Sequence, residues 1–213
     1  PRSTPGNTLS LHDALPIWLY NFAERENGAW GRAYLANGKI KDYGYQLDQQ
    51  LYPLLELAEY ALSDGQAATP DAYSKHEPIV IETLHHLKSR EALHASLYPT
   101  DETPADDPIA LPYHFSSHIL LWHTLRTLAK LDAPNLAQFD LLTWADEVHA
   151  DINMYFQVVQ GNRIFYAYAT DAQGNHHTYH DANDIPFAYA ADWGFVDPDD
   201  PVWLSTIAFA WSA

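Results

Sequence analysis

Four carboxylates, Asp101, Glu102, Asp106 and Asp107, crowd a stretch that carries prolines at 99, 104, 108 and 112 and no basic residue. Each proline fixes φ, so the segment is stiff. Like charges held close disfavour one another's ionised forms, and a carboxyl kept protonated near neutral pH is what general acid catalysis requires. The competing reading is a solvated acidic loop whose aspartates cap helices. A second polar concentration runs from Tyr179 to Pro186 through His180, Asp181, Asn183 and Asp184. Alternate residues of a strand share a face, which puts His177, Tyr179 and Asp181 on one side and His176, Thr178 and His180 on the other. Asn183 or Asp184 equally suits the N-cap of a following helix, with Pro186 in its first turn.

Other chemistries find less support. His114 and His118 have the i, i+4 spacing that can chelate zinc on a helix. No Glu lies between them in the metalloprotease pattern and no cysteine is available, so hydrogen-bonded structural histidines are the simpler reading, and no metal is assigned. His85 and His86 are adjacent and do not share a helix face. Ser116-Ser117-His118 lacks the strand, elbow and glycines of a hydrolase nucleophile. No glycine-rich phosphate loop is present. Seven Trp and fourteen Tyr supply mostly core, although aromatic planes beside carboxylates and amides also make sugar sites.

The elements that must position these groups belong to a globular chain. At 213 residues, with 47% hydrophobic and 18% charged residues, the composition is too apolar for disorder or a coiled coil. A formal charge of −17 repels nucleic acid and anionic lipid surfaces alike. No run approaches the ~18 uninterrupted apolar residues that span a bilayer. Zero cysteines exclude disulfides and thiolate chemistry and leave the compartment open.

At the start, residues 8–17 read like the translation of a sequencing adaptor, so residues 1–17 are set aside as a non-native leader. From Tyr45, Leu47, Leu51, Leu54 or Leu55, and Ala58 fall at helical spacing around Pro53, with Asp64-Gly65 as a stop. Further helices are predicted over 78–97, from Leu111 to about residue 131, over 136–159, around 186–193 and from Pro201 onward. The last run is apolar and shows no stop signal, which predicts that the sequence ends within a helix. Between them, 163–170 and 176–180 have β-type composition around a glycine-containing loop and predict one hairpin. The fold class is all-α, built from helix pairs with one inserted β-hairpin.

Three segments, taken in order, resemble a known family. They are Tyr45-Gln46-Leu47-Asp48-Gln49-Gln50-Leu51-Tyr52-Pro53-Leu54; Thr103-Pro104-Ala105-Asp106-Asp107-Pro108 with Tyr113-His114-Phe115-Ser116-Ser117-His118; and His180-Asp181-Ala182-Asn183-Asp184-Ile185-Pro186 with Trp193-Gly194-Phe195 and Asp199-Asp200-Pro201-Val202-Trp203. Together they look like glycoside hydrolase family 125, inverting exo-α-mannosidases on an (α/α)6 six-hairpin toroid. The resemblance implies a partial toroid over residues 18–213 and an oligosaccharide or glycan as substrate. It further implies Asp106 or Asp107 as the general acid, and Asp48, Tyr113, His114, Asp181 and Asn183 as sugar-binding residues. The family's catalytic base falls beyond Ala213. The chain departs from the family pattern by the extra Asp184 and by Ala105 where a serine is expected. No cofactor is called for, since protonation of the leaving group and attack by water suffice. The alternatives are a glucoamylase-like α-glucosidase on the same toroid and a non-catalytic carbohydrate-binding helical domain.

Overall fold

The computed structural model describes residues 19–63, 70–180 and 184–212. The leader at 1–17, the stop at Asp64-Gly65, and Asp181 to Asn183 lie outside the described residues. Helix α1 (Leu47–Leu62) buries Leu47, Leu51, Leu54, Leu55 and Ala58, the stripe read from the sequence. It runs straight through Pro53, whose carbonyl accepts from the Tyr20 hydroxyl at 3.1 Å.

Helix α2 (Pro70–Ser89) starts eight residues earlier than Pro78 and contains it. The buried series Tyr73, Val80, Leu84 and Leu87 extends on both sides of that proline, so packing overrides the missing donor. The predicted continuation to Leu97 does not form. Past Ser89 the chain turns, because Glu91 accepts from Lys88 Nζ, Ser96 Oγ and the Tyr98 hydroxyl, at 2.7 Å for the last, and Trp144 Nε1 donates to that same hydroxyl at 2.6 Å. A polar network thus replaces a helical turn.

Helix α3 (Phe115–Ala129) is buried on nearly every face, as the central helix of a helical domain must be. It packs on α1 and on α4 (Leu141–Tyr155). The single helix predicted over 136–159 is interrupted twice. A 3-10 turn at Pro134–Phe139 ends at Asp140, whose left-handed backbone (φ 44°) starts a new helix direction. Beyond Phe156 the β-branched residues take over, and β6 (Gln157–Gln160) pairs with β7 (Arg163–Tyr166) across a turn at Gly161-Asn162. The strand expected over 163–170 is therefore divided. Its second half, β8 (Ala169–Thr170), lies between β5 (Tyr113–His114) and β9 (His176–His177).

Two short hairpins precede α1: β1 (Arg25–Glu26) with β2 (Ala29–Trp30), and β3 (Ala33–Tyr34) with β4 (Ile40–Asp42). The first closes on Asn27 and Gly28, both at positive φ, the pair that a tight right-twisted hairpin demands. A short helix α5 (Ile185–Ala188) packs on α3, and α6 (Pro201–Ala210) lies against β7. Asp200 caps α6 by accepting from Trp203 N at 2.8 Å. Contrary to the reading from missing stop signals, α6 ends at Ala210, where Ser212 closes it by donating its hydroxyl to Phe209 O at 2.7 Å. Helix pairs α1/α2 and α3/α4 pack as hairpins, with α1 also against α3, the arrangement expected of consecutive units of an (α/α)6 ring.

Gln50 ties β2 to this frame. Fully buried, it accepts from Trp30 N at 2.8 Å and donates to Trp30 O at 3.0 Å and Gln46 O at 3.1 Å. Gln50→Ala should strip partners from both buried peptide groups of Trp30 and cost ~2 kcal/mol or more. In a urea melt the midpoint should fall at unchanged slope; a shift worth under ~0.5 kcal/mol would show that the clamp does not hold the hairpin.

Candidate active site at the first turn of α1

Helix α1 begins at an extended N-cap, Gln46, whose side chain makes no capping bond. Its first amides are met from elsewhere: Leu47 N donates to Thr100 Oγ1 at 3.2 Å, and Tyr45 and Asp101 exchange backbone and side-chain bonds, Asp101 N to Tyr45 O at 2.9 Å and Tyr45 N to Asp101 Oδ2 at 3.3 Å. The proline-rich acidic loop is thereby fixed to the start of α1. The Gln46 amide, wholly buried, reaches into the loop and donates to Thr103 O at 3.0 Å and Asp106 Oδ1 at 2.7 Å. Thr103 closes the turn from inside, its N–H donating to Asp107 O at 2.8 Å and its carbonyl accepting from Asp106 N at 3.0 Å.

Asp106 is held at φ 64°, a left-handed conformation uncommon for a residue with a side chain. Such strain persists where surrounding bonds enforce it, as Gln46 and Thr103 do here. Asp106 and Asp107 stand exposed at the tip. The loop is not free of cations, as its own sequence suggested: Arg32, between β2 and β3, binds Glu102 at 2.7 Å and Asp42 at 2.5 Å. Asp101, Glu102 and one oxygen of Asp106 are thus committed to structure, and Asp107 with the rest of the Asp106 carboxyl faces the solvent.

On the inner side of the same turn lies a buried polar cluster. Asp48, in the first turn of α1, is 4% exposed and its Oδ1 has no hydrogen-bond partner among the described residues. Burial pushes its carboxyl up to about 6, against the pull of His114 and of the amides of Asp48 and Gln49; Asp184 adds to the rise. His114 is the N-cap of α3 and fully enclosed. Its Nδ1 accepts from Ser117 N at 3.3 Å and lies 2.9 Å from Ser117 Oγ, which leaves Nε2 to carry the proton of the neutral ring. That nitrogen points to Asp184 Oδ2 at 3.5 Å, within ion-pair reach but too long and poorly aligned for a hydrogen bond.

Asp184 occupies the N-cap of α5, yet its side chain caps nothing and is 4% exposed. Tyr52, one turn along α1, has its hydroxyl pushed up by burial and then by Asp48 and Asp184. His180 is held below the ordinary histidine range by burial, against the opposing pull of Asp184. Tyr168 meets His114 edge to face at 4.6 Å.

Of the sequence-derived candidates, the structure brings Asp48 and His114 together and hangs Asp106 and Asp107 on the same helix start. Tyr113 is half-buried in β5, opposite Thr170. Asp181 and Asn183 fall outside the described residues, between His180 and Asp184. His118 is structural: Nε2 accepts from Tyr98 N at 2.9 Å, Nδ1 donates to His114 O at 2.6 Å, and full burial pushes its ring down to about 4. Among the described residues no three His, Asp or Glu side chains form a group that could hold a metal ion. Sequence reasoning gave Asp184 only a capping role and passed over Gln46, Tyr52 and Arg32. The signal for Asp184 was its place beside the Asp181–Asn183 element; Arg32 carried none. Chemically, the inner cluster offers an acceptor carboxylate and an imidazole N–H to hydroxyl groups, and the loop tip offers a pair of exposed carboxyls.

The sequence model of the metal-independent α-mannosidases (GH125) matches residues 58–213. No curated protein matches the chain significantly by sequence. Among solved structures, a metal-independent α-mannosidase from Streptococcus pneumoniae, in a non-productive complex with α-1,6-mannobiose, superposes with a TM-score of 0.69 at 17% identity, over 94% of this chain and 57% of that one. A bacterial glucoamylase complexed with acarbose gives 0.63 at 15% identity, over 93% of this chain and 29% of the other. The endo-β-1,4-glucanase CMCax from Acetobacter xylinum gives 0.52 at 12%, over 92% and 55%. At such identities the superpositions speak for the six-hairpin fold, of which this chain spans little more than half the length of the mannosidase structure. The family match over most of the sequence carries more: this chain belongs to the metal-independent α-mannosidases of glycoside hydrolase family 125.

Proposed function

We propose that the chain is part of the catalytic domain, over residues 18–213, of an exo-acting, inverting α-mannosidase that removes terminal α-linked sugars from glycans. The observation that carries this reading, within the family match, is the buried Asp48 carboxylate with an unpartnered oxygen, set beside a His114 Nε2 that also lacks a hydrogen bond. Buried polar atoms are normally paired, so two orphans in one cluster suit a ligand rich in hydroxyls. Asp48 and His114, with Tyr113, Asp181 and Asn183, hold the terminal ring; Asp106 or Asp107 protonates the departing oxygen. An inverting hydrolase needs its base across the sugar, with ~6.5–9.5 Å between the two carboxyls to admit water. No residue of this chain is assigned that role. Turnover is therefore measured on the chain extended past Ala213. With an aryl α-mannoside, proton NMR should show the β-anomer of mannose forming first; the α-anomer, or no cleavage of any α-mannoside, would overturn the reading.

The acid is separable by leaving group. Asp→Asn at the acid should lower kcat/KM on an alkyl mannoside by roughly 10²–10⁴ and spare mannosyl fluoride, whose departure needs no proton. The neighbouring Asn variant should affect both substrates alike. If neither Asp106→Asn nor Asp107→Asn discriminates between leaving groups, the acid lies elsewhere.

Asp48 yields a stability prediction of unusual sign. Its folded carboxyl sits near 6, above the ordinary value of 3.8, so the folded state holds the proton more tightly than the unfolded one. Its contribution to stability is full below about pH 4, is lost as the pH rises through 6, and leaves a burden of ~2–3 kcal/mol at neutral pH. Asp48→Asn should then raise the urea midpoint at pH 7, do little at pH 4, and abolish mannose binding. A destabilised variant at pH 7 would show that the buried charge is compensated and not reserved for ligand.

A further inference from the structure

The segment from β9 to His180 sorts its side chains by face. Inward, His176 Nε2 donates to Tyr155 O at 3.0 Å and His180 Nε2 to Tyr166 O at 2.9 Å, while the His180 ring stacks on Phe187 at 4.9 Å. Outward, His177 is exposed and Tyr179 is 50% exposed, and neither side chain has a hydrogen-bond partner among the described residues. Their rings lie 18° from parallel with centroids 6.0 Å apart. That separation is long for close face-to-face stacking; Tyr179 lies two residues past the end of β9, and both rings leave much of their surface to solvent.

This aromatic patch adjoins the buried cluster through one residue. Tyr168 meets Tyr179 edge-on at 5.4 Å and His177 at 5.8 Å, and on its other side meets His114 at 4.6 Å. We infer that His177 and Tyr179 form a stacking platform for a second pyranose, the sugar next to the one held at Asp48 and His114. The inference rests on the mannosidase reading of that site. A pyranose presents a face of C–H groups that suits an aromatic plane, and a rim of hydroxyls that suits the Tyr179 hydroxyl and the His177 ring nitrogens. An offset pair of rings offers the length of one sugar and no deep pocket, so it favours a further residue of any glycan over one particular aglycone. The inward histidines, already bonded to carbonyls, keep the strand from rotating and fix which face is offered.

The test compares methyl α-mannopyranoside with α-1,6-mannobiose, binding measured by ligand-observed NMR on the same extended chain used for turnover and on its Tyr179→Ala, Tyr179→Phe and His177→Ala variants. The native chain should bind the disaccharide more tightly than the monosaccharide. Tyr179→Ala should weaken the disaccharide about three- to tenfold, the worth of one aromatic contact, and leave the monosaccharide unchanged; Tyr179→Phe should keep most of the gain. His177→Ala should act in the same direction. Unchanged urea midpoints would certify the fold of these exposed variants. Equal weakening of both ligands would mean that the ring acts only by supporting Tyr168 and His114, and would overturn the platform. So would a disaccharide preference indifferent to both substitutions, or no preference in the native chain, each of which leaves the mannosidase reading standing. Failure of the native chain to bind either sugar overturns the platform and the mannosidase reading together.

Discussion

A helix that starts inside a protein leaves its first amides without partners, and α1 starts inside this one with no side-chain cap of its own. The Thr100 hydroxyl supplies the missing acceptor for Leu47, and the exchange between Tyr45 and Asp101 extends the same seam. The loop that completes the helix is therefore the loop that carries the acidic pair. Capping the helix and placing the acidic pair are one constraint here. Gln46 and Gln50, four residues apart on the buried face, add to it by fastening the helix start to Asp106 on one side and to the β2 peptide on the other.

Around this start the polar groups divide by how completely they are paired. Gln50, His118 and the Glu91–Tyr98–Trp144 network use nearly every donor and acceptor they have, and each fixes a backbone segment that would otherwise be free to move. Asp48 and His114, equally buried, do not. A fold selected for stability alone would replace Asp48 by an apolar residue, since an ionised carboxylate out of water is unfavourable without a partner. Other buried polar atoms, Gln46 Oε1, Trp30 Nε1 and Thr124 Oγ1 among them, also lack a hydrogen-bond partner among the described residues; Asp48 and His114 are set apart by standing together where the starts of α1, α3 and α5 meet, the place the proposed reading gives to a ligand.

Much of this was legible in the sequence, and the failures share a physical origin. The α1 stripe, the stiff acidic loop, the alternation at His176 to His180 and the family motifs came through because each is a local pattern. The helix boundaries at Ser89, Asp140 and Phe156 did not, because tertiary contacts decide them: a polar network pulls Glu91 away from α2, and β7 captures residues that read as the end of α4. Pro78 misled for the complementary reason, since packing on both sides of it outweighs one lost hydrogen bond. Arg32 was invisible because its partner Glu102 lies seventy residues away in the chain. Spacing arguments cannot see a cation that arrives from another element.

The histidines show how far composition can go. Twelve in a chain of 213 suggest metal chemistry, yet their roles follow from what each ring nitrogen meets. His118, His176 and His180 spend theirs on backbone groups, and His123 stacks flat on Trp193 at 4.1 Å. His114 spends one nitrogen on Ser117 at the start of α3, which fixes its tautomer, and so turns the remaining N–H toward Asp184 and the enclosed carboxylate of Asp48. A residue acting as a helix cap is thereby converted into an oriented donor. The same step recurs at Asp184, whose N-cap position on α5 would ordinarily consume its side chain and here leaves it facing the imidazole. In this molecule helix starts do not merely border the cluster: the first turn of α1 and the N-cap positions of α3 and α5 supply the groups that face it, which is why the polar cluster appears only once the three helices are packed together.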